Sequence, residues 1–264
     1  MNQPFFSIVT VVRNNLAGLK KTMSSVLGQT NTSWEWIIVD GCSTDGTSEF
    51  AAACAGEKVF VIREPDLGVY DAMNKGLVRS SGQYVCLMNS GDSFAGPDVL
   101  FSVREELERA PVDVLFGASI MRFGVMDVQR PARNPSYIWH GQPGTHQATF
   151  FRRAEHVLYP YDLKYKICGD YDVITRMWAA GLTFGSASIL ISVNEYTAGG
   201  ISGRGKLALL GEAVRAQRSN LGLPLWKIAL SVMLRIVTSV SAKTLTLLDF
   251  SRASSNKKDK SAKA

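Results

Sequence analysis

Three aspartates from distant parts of the chain, Asp40, Asp92 and Asp170, stand where carboxylates could do chemistry. Asp92 ends the turn Asn89-Ser90-Gly91-Asp92, just past the short apolar run Val85–Met88. Such a run has the length and composition of a buried strand. In open α/β sheets, ligands sit beyond the carboxyl ends of strands, where diverging loops leave a crevice. A carboxylate there can hold a hard cation, and the cation can neutralise a diphosphate. The same four residues also suit an ordinary turn. Asp40 ends a second apolar run, Trp34–Val39. Asp170 and Asp172 open a helical stretch carrying Val173, Ile174, Met177 and Trp178. Acids at helix starts serve as caps or complement the dipole; if this start faces the crevice, Asp170 is a base at a defined position. His146 and Gln147 precede the strand expected over Ala148–Phe151. They could contact a metal or an acceptor, or His146 could merely cap and pack.

The elements that must position these groups follow from periodicity. Strands are expected at Phe5–Val12, Trp34–Val39, Lys58–Ile62 and Val85–Met88, separated by helices from Leu16, from Ser43 or Thr44, and over Val69–Arg79. Strands alternating with helices through short loops imply parallel pairing and right-handed crossovers. The carboxyl ends of the first, second and fourth strands must then share one edge. Thr10–Asn14, Asp40–Asp45 and Asn89–Asp92 become candidates to line one crevice. A helix over Pro97–Ala110 and a strand over Val112–Gly117 follow. A hairpin near Phe123-Gly124-Val125 and a loop with Pro131 and Pro135 then break the rhythm, so the second half should be mixed. A strand is expected over Thr183–Val193, and Ala198–Gly205 reads as a flexible loop able to cover a phosphorylated ligand, or as a linker.

The first strand is followed by neither Gly-x-Gly-x-x-Gly nor a Gly-x-x-x-x-Gly-Lys-Ser/Thr loop. Without such backbone cradles a diphosphate needs a metal ion. The 264 residues suffice for a sizeable core, and a 46% hydrophobic share is ordinary for a folded chain. Of the formal charge of +6, four units sit beyond Ser251, where Arg252, Lys257, Lys258, Lys260 and Lys263 face only Asp259. The body is nearly balanced, which argues against nucleic acid. Four cysteines without Cys-x-x-Cys spacing suggest reduced thiols, and no signal segment opens the chain, so a cytoplasmic-side protein is expected. Between Leu225 and Leu248, Lys227, Ser231, Arg235, Ser239 and Lys243 recur every fourth residue as a polar stripe on an apolar helix. A helix lying in a bilayer interface fits, aided by the basic tail; packing on the protein's own core or a dimer contact are the alternatives.

The first two hundred residues resemble the family-2 glycosyltransferases, which have the GT-A fold. Four stretches carry the resemblance: Phe6–Val12, Ile38–Thr47, Leu87–Asp92, and the run Glu64-Pro65-Asp66-Leu67-Gly68-Val69-Tyr70-Asp71-Ala72-Met73-Asn74-Lys75-Gly76. That last run is most similar to the bacterial branch building exopolysaccharide and O-antigen repeat units, including colanic acid enzymes. The resemblance implies a Rossmann-like, mostly parallel sheet with a mixed second half over residues 1–205. Beyond it, the polar stripe and the tail's composition give membrane-associating helices over 206–250 and a disordered basic tail over 251–264. The resemblance also implies inverting transfer from a nucleotide-diphosphate-sugar, with Mn²⁺ or Mg²⁺; taken together with the amphipathic helix, it points to a lipid-linked saccharide acceptor at the cytoplasmic face of the bacterial inner membrane. The donor would contact Thr10, Val12, Asn14, Asp40, Asp66, Asn74, Asn89, Ser90 and Gly91, with Asp40 on the base. Asp92 looks like the last acid of the family's Asp-x-Asp metal motif, where Asn89 and Gly91 replace further acids. Asp170 resembles the base of its Glu-Asp motif, with Gly169 in place of the Glu. Two other readings share features: a nucleotidyltransferase, which would want a glycine-rich basic loop where Val12-Arg13-Asn14-Asn15 stands, and a non-catalytic nucleotide-sugar-binding subunit.

Overall fold

The computed structural model describes residues 3–31, 33–196 and 205–237. The chain divides into two compact units, residues 1–221 and 222–264. In the first, β1 (Phe6–Val12), α1 (Leu16–Leu27), β2 (Trp34–Asp40), α2 (Thr47–Cys54), β3 (Val59–Arg63), α3 (Val69–Arg79) and β4 (Tyr84–Leu87) alternate as expected. They are followed by β5 (Ser93–Phe94), α4 (Val99–Arg109), β6 (Val114–Phe123), β7 (Met126–Arg130), β8 (Thr149–Arg152) and α5 (Arg153–His156). The last elements are α6 (Gly169–Ala179), β9 (Phe184–Glu195) and α7 (Lys206–Ser219). One sheet runs β3-β2-β1-β4-β8-β6-β9-β5, with β7 paired on β6. β3, β2, β1 and β4 are parallel; β8 lies antiparallel between β4 and β6, and β6 and β9 are parallel again. The mixed second half is therefore real.

Every residue of β1 and β2 is buried, because helices cover both faces and a near-continuous apolar run is what such strands need. Phe6, Ile8, Trp36 and Ile38 pack on one face with Leu100 and Phe150. Val9, Val11, Ile37 and Val39 pack on the other with Met73 and Ile174. Two polar pairs bridge these strands: Trp36 Nε1 donates to Thr10 Oγ1 at 2.9 Å, and Ser7 Oγ donates to Glu35 at 2.6 Å.

Several expectations shift. Neither Ser43 nor Thr44 caps α2; Gly46 does so with φ +90°, and the Asp45 carboxylate accepts the Thr47 N–H. Two-residue β5, unforeseen, pairs with β9 directly after Asp92. The hairpin forms between β6 and β7, longer than anticipated. The first unit also takes in α7, so its boundary falls beyond residue 205. Leu209, Ala213 and Ala216 of α7 pack on Tyr165, Cys168 and Tyr171, a contact that local composition cannot reveal.

In the second unit, residues 225–237 form a helix, α8, carrying Lys227, Ser231 and Arg235. It exposes Leu225, Trp226, Leu230, Met233, Ile236 and Val237. Ser239, Lys243, the tail 251–264 and the expected loop 198–204 lie outside the described residues. Among the described residues, no helix is long and apolar enough to cross a membrane.

Candidate active site

The carboxyl ends of β1, β2 and β4 meet at one edge, as the alternation requires. Asn14 and Cys42 are the two non-glycine residues with left-handed backbone among those described, φ +50° and +58°. Strain of this kind clusters where a site must be shaped. Asn14 N–H donates to Ser43 Oγ at 2.8 Å, and its side-chain oxygen accepts the Thr44 N–H at 2.8 Å. Asn15 Nδ2 donates to the Ser90 carbonyl at 3.2 Å, tying the first loop to the fourth strand's end. Thr22 of α1 holds that end from behind, accepting the Gly91 N–H at 3.0 Å and donating to the Asp92 carbonyl at 2.7 Å.

Not every expected residue faces open space. Thr10 is fully buried against Trp36, and Val12 is nearly so. Asp40 is fully enclosed, its carboxylate accepting from Ser43 N–H and the hydroxyls of Ser43 and Ser48. In this conformation Asp40 shapes the loop Gly41–Ser43. Asp66 instead lies over Gly41, so closely that a Cβ there would come within 2.2 Å of its Oδ2.

Asp92 and Asp170 are linked through one 3-10 turn. Gln147 Nε2 donates to Asp92 Oδ2 at 2.8 Å, and the Glu195 N–H donates to Oδ1 at 3.0 Å. The neighbouring His146 places Nε2 2.9 Å from Asn89 Nδ2 and Nδ1 3.2 Å from Asp170 Oδ2. Burial pushes the Asp92 carboxyl up, only partly opposed by Gln147 and His146. Asp170 is also buried, but His146 and the Tyr161 hydroxyl outweigh that and hold its carboxyl below the usual range. His146 shifts up in turn, because Asp170 and Asp92 outweigh its burial. Asp170 makes no cap: Cys168 is the N-cap residue of α6, without a side-chain bond. Its carboxylate is held by Tyr161 Oη at 3.0 Å and by His146.

The motif on α3 turns out to support this loop. Asn74 clasps the Tyr161 backbone, accepting its N–H at 2.8 Å and donating to its carbonyl at 2.9 Å. Tyr70 stacks on Tyr161 with ring centroids 5.0 Å apart. A Cβ on Gly169 would meet the Tyr70 ring at 2.6 Å, so position 169 has no room for a side chain here. Tyr161, Tyr70 as a support, and Glu212 of α7 (which accepts backbone N–H groups of the loop) escaped the sequence reading. Their signal is spatial only.

Among the described residues, no cluster of three or more His, Cys, Asp or Glu could hold a cation. Asn89 Oδ1, however, is buried without a partner among those residues. A hard oxygen left unsatisfied beside a carboxylate loop fits Mg²⁺ or Mn²⁺, which bind through one or two protein oxygens plus substrate phosphates and water.

Comparison with known proteins agrees with this architecture. The Glycosyl transferase family 2 model matches residues 7–168. A PGL/p-HBAD biosynthesis glycosyltransferase of Mycobacterium bovis is 33% identical over 215 residues, covering 76% of this chain and 80% of that one. S. aureus TarS, solved with UDP-GlcNAc, superposes with a TM-score of 0.66 at 15% identity, over 86% of this chain and 69% of that one. A Pyrobaculum calidifontis mannosyltransferase in complex with GDP-Man and Mn²⁺ superposes with a TM-score of 0.61 at 14% identity, over 96% and 80%. The chain belongs to glycosyl transferase family 2 and is a glycosyltransferase. The mixed α/β sheet is the one these GT-A structures share.

Proposed function

We propose that this enzyme transfers a sugar, with inversion, from a nucleotide-diphosphate-sugar to a lipid-linked saccharide acceptor in cell-surface polysaccharide biosynthesis of the exopolysaccharide and O-antigen type. The observation that supports this reading is the run Asp92–Gln147–His146–Asp170, in which adjacent side chains of one turn hold the two carboxylates. Asp92 and Asn89 Oδ1 are the groups that would hold Mn²⁺ or Mg²⁺. When bound, such a cation offsets the charge growing on the leaving diphosphate. Asp170 takes the proton from the acceptor hydroxyl as it attacks the opposite face of the sugar. Tyr161 and His146 fix the Asp170 carboxylate for that transfer. His146 belongs to this acceptor side, and Gln147 to the Asp92 side. The exposed apolar side chains of α8 support contact with a membrane surface, and the site of action belonging to this reading is the cytoplasmic face.

A panel of nucleotide-sugars, incubated with the protein, a lipid-linked saccharide acceptor and Mn²⁺ or Mg²⁺, tests the reading through released nucleotide. One donor is expected to stand out, and a chelator should suppress its use. Asp170→Asn should lower kcat by about 10²–10⁴ while donor affinity stays close to wild type. Full transfer by that variant would remove Asp170 from the role of base.

A further inference from the structure

The loop ahead of Asp170 is held by a carboxylate from far along the chain. Glu212 on α7 accepts three successive backbone N–H groups: Lys166 and Ile167 at 2.9 Å each, and Cys168 at 2.8 Å. The next N–H, of Gly169, donates to Tyr70 Oη at 3.0 Å, and that hydroxyl donates to the Ile167 carbonyl at 2.8 Å. Four consecutive amides leading to Asp170 are thus satisfied by two side chains, one from α7 and one from α3. The far end of α7 grips α6, the helix that Asp170 opens: Asn220 Nδ2 donates to Asp172 Oδ1 at 3.0 Å and to Thr175 Oγ1 at 2.8 Å. Apolar contact between α7 and this region is already supplied by Leu209, Ala213 and Ala216. The charge at position 212 is therefore not needed for packing. Hydrogen bonds to an ionised acceptor are roughly twice as strong as neutral ones, and burial of this carboxyl is outweighed by its three amide donors.

We propose that Glu212 is a positioning residue of the transfer reaction, a half-buried anion that sets residues 166–168 and through them the place of Asp170. It rests on the reading of Asp170 as the base. Misplacement of a reacting group by about 1 Å can cost on the order of 10²-fold in rate.

The test combines kinetics, chemical rescue and amide exchange on the full chain. Glu212→Ala should lower kcat for transfer about 10- to 100-fold, with the donor KM close to wild type. Added formate should occupy the vacated amide nest and restore much of the loss, whereas chloride at equal ionic strength should not. Glu212→Gln keeps the size but turns an NH₂ group toward the N–H donors, so it should be impaired too. The amide protons of Lys166, Ile167 and Cys168 should exchange faster in both variants, and this holds whether or not Asp170 proves to be the base. A Glu212→Gln enzyme with wild-type kcat would overturn the proposal. So would a Glu212→Ala enzyme whose loss merely follows a lowered Tm, without rescue by formate.

Discussion

Gly169 shows how much a missing side chain can decide. It stands directly before Asp170, against the ring of Tyr70, which in turn lies flat on Tyr161. Any Cβ there must displace an aromatic side chain whose hydroxyl bonds the loop on both sides. Gly169→Ala is therefore expected to cost about 1–3 kcal/mol through overpacking. It should also lower kcat by roughly 10-fold or more, because Tyr161 carries the Asp170 carboxylate. Thermal unfolding and steady-state kinetics on one preparation check both. Normal kcat with lowered stability would mean that Tyr70 swings aside without moving Asp170. The Asn89 side-chain oxygen, in turn, is buried without a partner among the described residues.

Helix α5 is only one turn long, yet it places His156 in the core beside Tyr161. His156 is fully buried between Phe151 and Tyr161, with ring centroids 4.4 and 5.6 Å away. Neither ring nitrogen has a hydrogen-bond partner among the described residues. Burial pushes its pKa down to about 4 from 6.5. In the unfolded chain the ring takes a proton first as pH falls, so its effect on stability is absent above about 6.5. Below that, stability is lost as pH drops toward 4, by up to roughly 3 kcal/mol. His156→Leu removes the titration and the two unpaired nitrogens. The variant should match or exceed wild-type stability at pH 7.5 and lose less between pH 7.5 and 5. Urea unfolding at the two pH values measures this; equal losses in both proteins would mean that His156 is not held neutral.

At the scale of the whole chain, the parallel half of the sheet supplies the loops around Asp66 and Asp92. The mixed half supplies His146, Gln147 and, through α6, Asp170. β8 joins them, antiparallel to β4 on one side and β6 on the other. The second unit carries a different property. Six large apolar side chains of α8 face solvent, in a chain with a cationic end. Binding to anionic lipid vesicles is expected, weakening with salt. Trp226→Asp combined with Met233→Asp should reduce the bound fraction about 10-fold or more, since burial of each apolar side chain contributes roughly 1.5–3 kcal/mol. Co-sedimentation measures this. A change of oligomeric state without vesicle binding would assign the face to self-association instead.

Alternation of apolar runs with helical periodicity was enough, in β1 through β4, to dictate parallel strands. It also put Asn14, Asp40 and Asp92 at one edge, because side-chain period and crossover handedness are local properties of the chain. The acidic ends of those strands were legible for the same reason. What residue types could not say is where each carboxylate turns: Asp40 inward to Ser43 and Ser48, Asp170 away from any cap and toward His146 and Tyr161. Nor could they show that Asn74 holds a backbone 87 residues away, or that Glu212, in a supposed membrane segment, packs within the first unit. Those choices are made by contacts between segments distant in sequence. Hydrogen-bond geometry and packing select among orientations that the chain's local pattern leaves equally open.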